Sequence, residues 1–131
     1  EFQGAILKAA TFNFAKFVQA SMSLADLSMS KAVGATLTEA DLSGANLDGA
    51  HLTQVSFAGA KLSNASLQCA VLKKCDFKKA NLAAANLEGI QILESIFEAA
   101  VLDNCSLKKA TVKSSNFQNS SLEQADLTSS T

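Results

Sequence analysis

The sequence predicts an all-β fold, a four-sided coil of 20 residues stacked about 6.5 times in a chain of 131 residues. Three observations predict it. A large apolar residue recurs at every fifth position without a break. A small residue, usually Ala, stands two positions before it. Residue identity also repeats at a spacing of 20, which sets the number of sides.

The five-residue period is plainest in Ala40-Asp41-Leu42-Ser43-Gly44-Ala45-Asn46-Leu47-Asp48-Gly49-Ala50-His51-Leu52. The register runs from Phe2 to Leu127 and covers 26 central positions, of which only Ala32 is small. The small positions hold 17 Ala; the exceptions are Ser30, Val55, Cys75, Ile90, Ser95, Cys105, Ser115, Ser120 and Ser130. An α-helix advances about 500° in five residues, so it would spread the central residues around its axis. A flat strand would send alternate ones to opposite faces. A backbone that turns a quarter circle per five residues points every central residue and every Ala inward.

The four sides follow in order. The first column is Phe2, Met22, Leu42, Leu62, Leu82, Leu102 and Leu122. The second is Leu7, Leu27, Leu47, Leu67, Leu87, Leu107 and Leu127. The third is Phe12, Ala32, Leu52, Leu72, Ile92 and Val112, and the fourth is Phe17, Leu37, Phe57, Phe77, Phe97 and Phe117. After residue 17 every central Phe falls in the fourth column, which a five-residue rule alone does not require. Like side chains then stack one coil apart, as in other solenoids. The expected core includes Phe17, Leu37, Leu47, Phe57, Leu67, Phe77, Leu87, Phe97, Leu107 and Phe117. Ala32 should leave a void, or be covered by Phe12 or Leu52. A coil spacing of about 4.8 Å gives a rod of roughly 30 Å, forming a single domain over residues 1–131.

This pattern resembles the pentapeptide-repeat family, whose consensus is roughly A-(D/N)-L-x-x, over essentially the whole chain. The residue before the central one agrees as Asp or Asn at Asp26, Asp41, Asn46, Asp76, Asn81, Asn86, Asn116 and Asp126. The resemblance implies a right-handed quadrilateral parallel β-helix. It implies no single function, because members include DNA-gyrase protectors, secreted bacterial effectors, and cyanobacterial and plastid proteins.

Composition narrows the function classes. Eleven Lys plus Arg against twelve Asp plus Glu give a net charge of −1, which favours neither a polyanion binder nor a highly acidic decoy. Duplex DNA carries one charge per about 1.7 Å, so a DNA mimic engaging gyrase or another topoisomerase would need a far more acidic surface. No outward aromatic is interleaved with bases for nucleic-acid stacking, so nucleic acid is disfavoured as a ligand. Thr11, Thr36, Thr38, Thr53 and Thr111 form no flat array of the kind an ice-binding face uses. No apolar stretch reaches the roughly 18 residues of a membrane span, and no signal peptide is visible.

Chemistry-bearing residues are sparse. The lone His51 lies at an outward position without partners at fixed spacing. Cys75 and Cys105 take inward Ala positions on opposite sides of the square, and Cys69 faces out near a corner. No structural disulfide is expected, which mildly favours a reducing, cytoplasmic compartment. No zinc-type Cys pair, phosphate loop or nucleophile motif occurs. The outward Asp and Asn suit turns better than metals. No enzyme activity, cofactor or metal is expected.

Surface faces carry what remains. Lys73, Lys74, Lys78 and Lys79 span one corner, with Lys113 two coils on, and could receive an acidic partner. Ile6, Phe14, Val18, Leu24, Met29 and Val33 are outward apolar residues near the start, followed later by Val71, Leu93, Ile96 and Val101. Val33, Val71 and Leu93, with Phe14, share the wall of the third column, and an apolar strip there marks a contact surface. The expected function is a non-catalytic protein–protein interaction or scaffold module that docks another protein or a neighbouring domain. The alternatives are the DNA mimic and the repeat domain of a larger bacterial effector. A start at Glu1 suits a processed or excised piece. No amphipathic helix caps either end, so self-association end to end or through the N-terminal coils is a further expectation.

Overall fold

The computed structural model describes residues 1–131 and has the all-β parallel solenoid architecture, without a helix. One wall is built from three-residue strands, β1 Lys31–Val33, β2 His51–Thr53, β3 Val71–Lys73, β4 Gln91–Leu93 and β5 Thr111–Lys113. They form one parallel sheet in chain order, and each pairs with the residue 20 further on, as Ala32 does with Leu52 and Leu72 with Ile92. The other walls are joined by single parallel bridges with the same step, from Ile6↔Asp26 to Ser106↔Asp126.

The repeat dictates how each backbone group is satisfied. The amide of central Leu42 donates to the Lys61 carbonyl at 2.7 Å, and the Lys61 amide donates to the Ala40 carbonyl at 2.9 Å. The corner closes when the Ala45 amide donates to the Leu42 carbonyl at 3.0 Å. That turn places Gly44 in the left-handed region at φ 65°. The same position is left-handed in every repeat, whether occupied by Gly or by residues such as Lys74 (φ 56°) and Asn64 (φ 59°). All six glycines of the chain sit there.

The strand wall ends differently. The amides of Ala35, Val55, Cys75 and Ser95 do not reach back three residues, so the corner after each of these strands lacks the turn bond. Side chains from the next coil compensate in part. Ser95 Oγ accepts from the Cys75 amide at 3.0 Å and donates to the Leu93 carbonyl at 2.9 Å. Ser115 Oγ accepts from the Ser95 amide at 3.1 Å. The Cys75 thiol donates to the Leu52 carbonyl at 3.4 Å. Two departures from inward Ala, Ser95 and Ser115, thus serve one column of amides, and Cys75 serves a carbonyl beside it.

The core is one continuous cluster of 34 buried residues. Leu37, Leu47, Phe57, Leu67, Phe77, Leu87, Phe97 and Leu107 are fully enclosed. Phe17 and Phe117 pack against the cluster but are half-buried, because each has a coil on one side only. Phe57, Phe77, Phe97 and Phe117 stack face to face at 4.6, 4.6 and 4.7 Å between centroids. Leu37 separates Phe17 from that stack, and Phe17 meets Phe2 and Phe12 edge to face at 5.5 and 5.8 Å. Ala32 is buried and no cavity opens beside it. The one depression, of about 280 Å³, lies at the C-terminal end of the bore over Leu107, Val112, Phe117, Leu122 and Leu127.

Candidate interaction surface

The outward positions of the strand wall form two columns. Lys31, His51, Val71, Gln91 and Thr111 make one; Val33, Thr53, Lys73, Leu93 and Lys113 make the other. Val33 is exposed, whereas Val71 and Leu93 are half-buried. Val71 and Leu93 are diagonal neighbours, but Thr53 and Lys73 stand between Val33 and Leu93. The wall therefore holds these three apolar residues without joining them into an unbroken strip. His51 is exposed at the start of β2.

The basic residues are also divided. Lys74 pairs with Glu94 at 3.5 Å and Lys78 with Glu98 at 3.6 Å, each across one coil. Exposed pairs of this kind add little stability, but they lower the local positive field. Lys73, Lys79 and Lys113 have no carboxylate within salt-bridge distance. Lys108 and Lys109 are tied to Asp126 and Glu88 at 3.2 and 2.8 Å.

Exposed large apolar side chains concentrate at one end. Ile6, Phe14, Val18, Leu24, Met29 and Val33 all lie within the first two coils. Phe14, Leu24 and Met29 occupy left-handed corner positions, and each rests over a glycine of the next coil. A Cβ on Gly34 would lie 2.8 Å from the Phe14 ring, one on Gly44 2.9 Å from Leu24, and one on Gly49 2.6 Å from Met29. The absent side chain gives each apolar group a flat seat against backbone while leaving its outer face to solvent. The signal for this was the 20-residue step from each apolar corner residue to a Gly, visible once the period is applied to outward positions.

The outward Asp and Asn are engaged within the fold. Asp26, Asp41, Asn46, Asp76, Asn81, Asn86, Asn116 and Asp126 each accept, through Oδ1, the amide two residues on. These Asx turns stiffen the corners. Hydrogen bonds from the Ser28 and Ser43 side chains and amides hold the Asp26 and Asp41 carboxyls below their usual range. Thr128, with Lys108, lowers Asp126 to about 2. Asn13, Asp48 and Asp103 act between coils, accepting the amides of Val33, Gln68 and Glu123, each at 2.9 Å. No three His, Cys, Asp or Glu side chains gather into a metal-binding group. Cys75 and Cys105 are buried free thiols, both pushed up to about 11 by burial, and Cys69 is an exposed free thiol.

Solved structures share this architecture. A pentapeptide repeat protein from the thylakoid lumen of Arabidopsis thaliana is 26% identical, with a TM-score of 0.62 over 65% of this chain. The chain spans 59% of that protein's length. Full-length QnrB1, a plasmid-mediated fluoroquinolone resistance protein, is 16% identical with a TM-score of 0.57 over 95% of this chain and 68% of its own. That likeness is one of fold. None of the curated proteins matches in sequence. The family profile for pentapeptide repeats matches residues 5–44, 20–59, 56–90 and 95–131, and the chain belongs to the pentapeptide repeat family.

Proposed function

We propose that the chain is a non-catalytic protein-interaction module that docks a partner through the apolar surface of its first two coils, around Phe14 and Val33. The observation that carries this reading is the one-sided distribution of exposed apolar groups: Phe14 is 74% and Leu24 68% exposed, while Val71 and Leu93 further along are half-buried. Neighbouring exposed apolar groups, such as Phe14 beside Val33 in the next coil, whose carbonyl accepts the Phe14 amide at 2.8 Å, mark a contact site. Lys73, Lys79 and Lys113 would border a partner's acidic groups, but the pairing of Lys74 and Lys78 leaves them a secondary role. The near balance of twelve acids and eleven bases speaks against imitation of duplex DNA.

The test compares two double variants in recovery of a partner from native cell extract. Phe14→Asp with Val33→Asp should abolish stoichiometric recovery at an unchanged thermal midpoint. Val71→Asp with Leu93→Asp should leave it intact. Loss with the second pair alone would move the interface to the strand wall. Equal recovery with both would remove apolar docking as the function.

A further inference from the structure

The strand wall carries a charge asymmetry that the balance of the whole chain conceals. None of the outward residues of β1–β5 is acidic, although the chain has twelve Asp plus Glu. Lys31, Lys73 and Lys113 are exposed on this wall, and none has a carboxylate within salt-bridge distance. Glu94, at the corner after β4, is held by Lys74 at 3.5 Å. A chain of net charge −1 thus presents one flat, positive wall.

That wall is closed to a partner strand, because β2, β3 and β4 are paired on both sides. At β3 the Val71 amide donates to the Ala50 carbonyl at 2.8 Å and the Lys74 amide to the Leu93 carbonyl at 2.9 Å. Recognition falls to side chains. Among the lysines stand Thr53, His51 and Gln91, which offer hydrogen-bond donors, and half-buried Val71 and Leu93, which offer an apolar floor.

The spacing selects the conformation of a ligand. Lys73 and Lys113 stand in one column with Leu93 between them. Lys31 stands in the other column, two coils before β3. Two coils measure about 9.6 Å along the rod. A polyproline II segment laid along the rod returns a side chain to the same face every third residue, after about 9.3 Å. A β-strand does so after about 6.8 Å, and a helix at heptad spacing after about 10.5 Å. The polyproline II backbone also has no internal hydrogen bonds, so its carbonyls are free to accept from Thr53, His51 and Gln91. We infer that the strand wall binds an acidic peptide in this extended form, parallel to the rod axis, with a carboxylate at every third residue facing Lys31, Lys73 and Lys113. The site is independent of the docking surface around Phe14: it needs no apolar anchor, and its centre at Lys73 and Lys113 lies further along the rod.

A fluorescein-labelled peptide of repeated Glu-Pro-Pro is the probe, read by fluorescence anisotropy at low ionic strength. The wild-type chain should bind it saturably, and added salt should weaken binding. Lys73→Gln with Lys113→Gln should weaken it about tenfold. Lys16→Gln with Lys61→Gln removes the same charge from other walls and should change it by less than about twofold. A peptide of the same composition with its Glu residues gathered at one end should bind less tightly. Circular dichroism checks that each variant is folded. No binding of the repeat peptide at millimolar protein overturns the inference. So does equal loss in the two double variants, which would reduce the effect to net charge, and so does equal affinity for the two peptides, which would remove the spacing. A single-stranded oligonucleotide that binds more tightly at the same salt, and is lost with Lys73→Gln and Lys113→Gln, would assign the wall to nucleic acid and overturn the peptide.

Discussion

Phe77 and Phe97 lie face to face, with ring centroids 4.6 Å apart and planes within 4°. That distance is close to the spacing of about 4.8 Å between paired strands, so the rings are parallel because the backbone carries them in register. Offset or edge-to-face contacts are the usual preference of aromatic pairs. At the open N-terminal end, Phe17 adopts the edge-to-face arrangement with Phe2 and Phe12.

The stack makes Phe77 a sensitive position. It is fully buried with a ring on either side, so Phe77→Ala should cost about 3–5 kcal/mol. Phe117→Ala should cost less, because Phe117 is half-buried with a ring on one side only. Phe77→Leu should fall below Phe77→Ala, since Leu37 already fills that column one coil before Phe57. Chemical denaturation of the three variants gives the order; an equal cost at positions 77 and 117 would remove the stack as its cause.

Ser95 and Ser30 look equivalent in sequence, both replacing an inward Ala. Ser95 Oγ accepts the Cys75 amide, whereas Ser30 Oγ is buried without a partner. Ser95→Ala strands a buried amide and should destabilise by about 1–3 kcal/mol. Ser30→Ala removes an unpartnered hydroxyl and should be neutral or stabilising. Denaturant midpoints decide, and the reverse order would refute the role assigned to the serine column.

These contrasts show what the sequence discloses. Inward positions are legible because each residue answers alone to the bore: Leu67 must be large and Ala65 small whatever lies beside them. The Asx turns are legible for the same reason, since Asp41 bonds within its own repeat. Relations between coils are harder to read. Val55, Cys75, Ser95 and Ser115 fall in one 20-residue column, but the reason for the two serines is an amide in the preceding coil that a strand wall leaves open. Lys74 and Lys78 read as part of a basic cluster until the same step places Glu94 and Glu98 beside them. The left-handed corner escapes notice because only six of its occupants are Gly and the fold tolerates other residues there.

Acid should weaken the corners in a defined window. Asp26, Asp41 and Asp126 are held below the ordinary 3.8, the last at about 2. A carboxyl with a depressed folded-state pKa contributes stability that is full above the unfolded value and lost as pH falls through the folded one. Stability should therefore decline from about pH 4 towards pH 2. Asn46 and Asn81 make the same turn bond without a charge. A triple Asp→Asn variant at positions 26, 41 and 126 should stay folded at neutral pH and show a flatter acid limb. An unchanged acid limb in thermal melts would assign the loss to other groups.

Phe14 and Gly34 should be coupled. Gly34 has φ 65°, and an added Cβ would meet the Phe14 ring at 2.8 Å. Gly34→Ala therefore carries two penalties, about 1–2 kcal/mol for an alanine in the left-handed region and a further cost for displacing the ring. In a Phe14→Ala background only the first remains. A double-mutant cycle should then give Gly34→Ala a smaller cost in that background than in the wild-type chain. The ring is 74% exposed, so it can swing outward, and the coupling should be a fraction of the backbone cost. Equal cost in both backgrounds would mean that the ring does not rest on Gly34, and the flat seat assigned to the apolar corners would go with it.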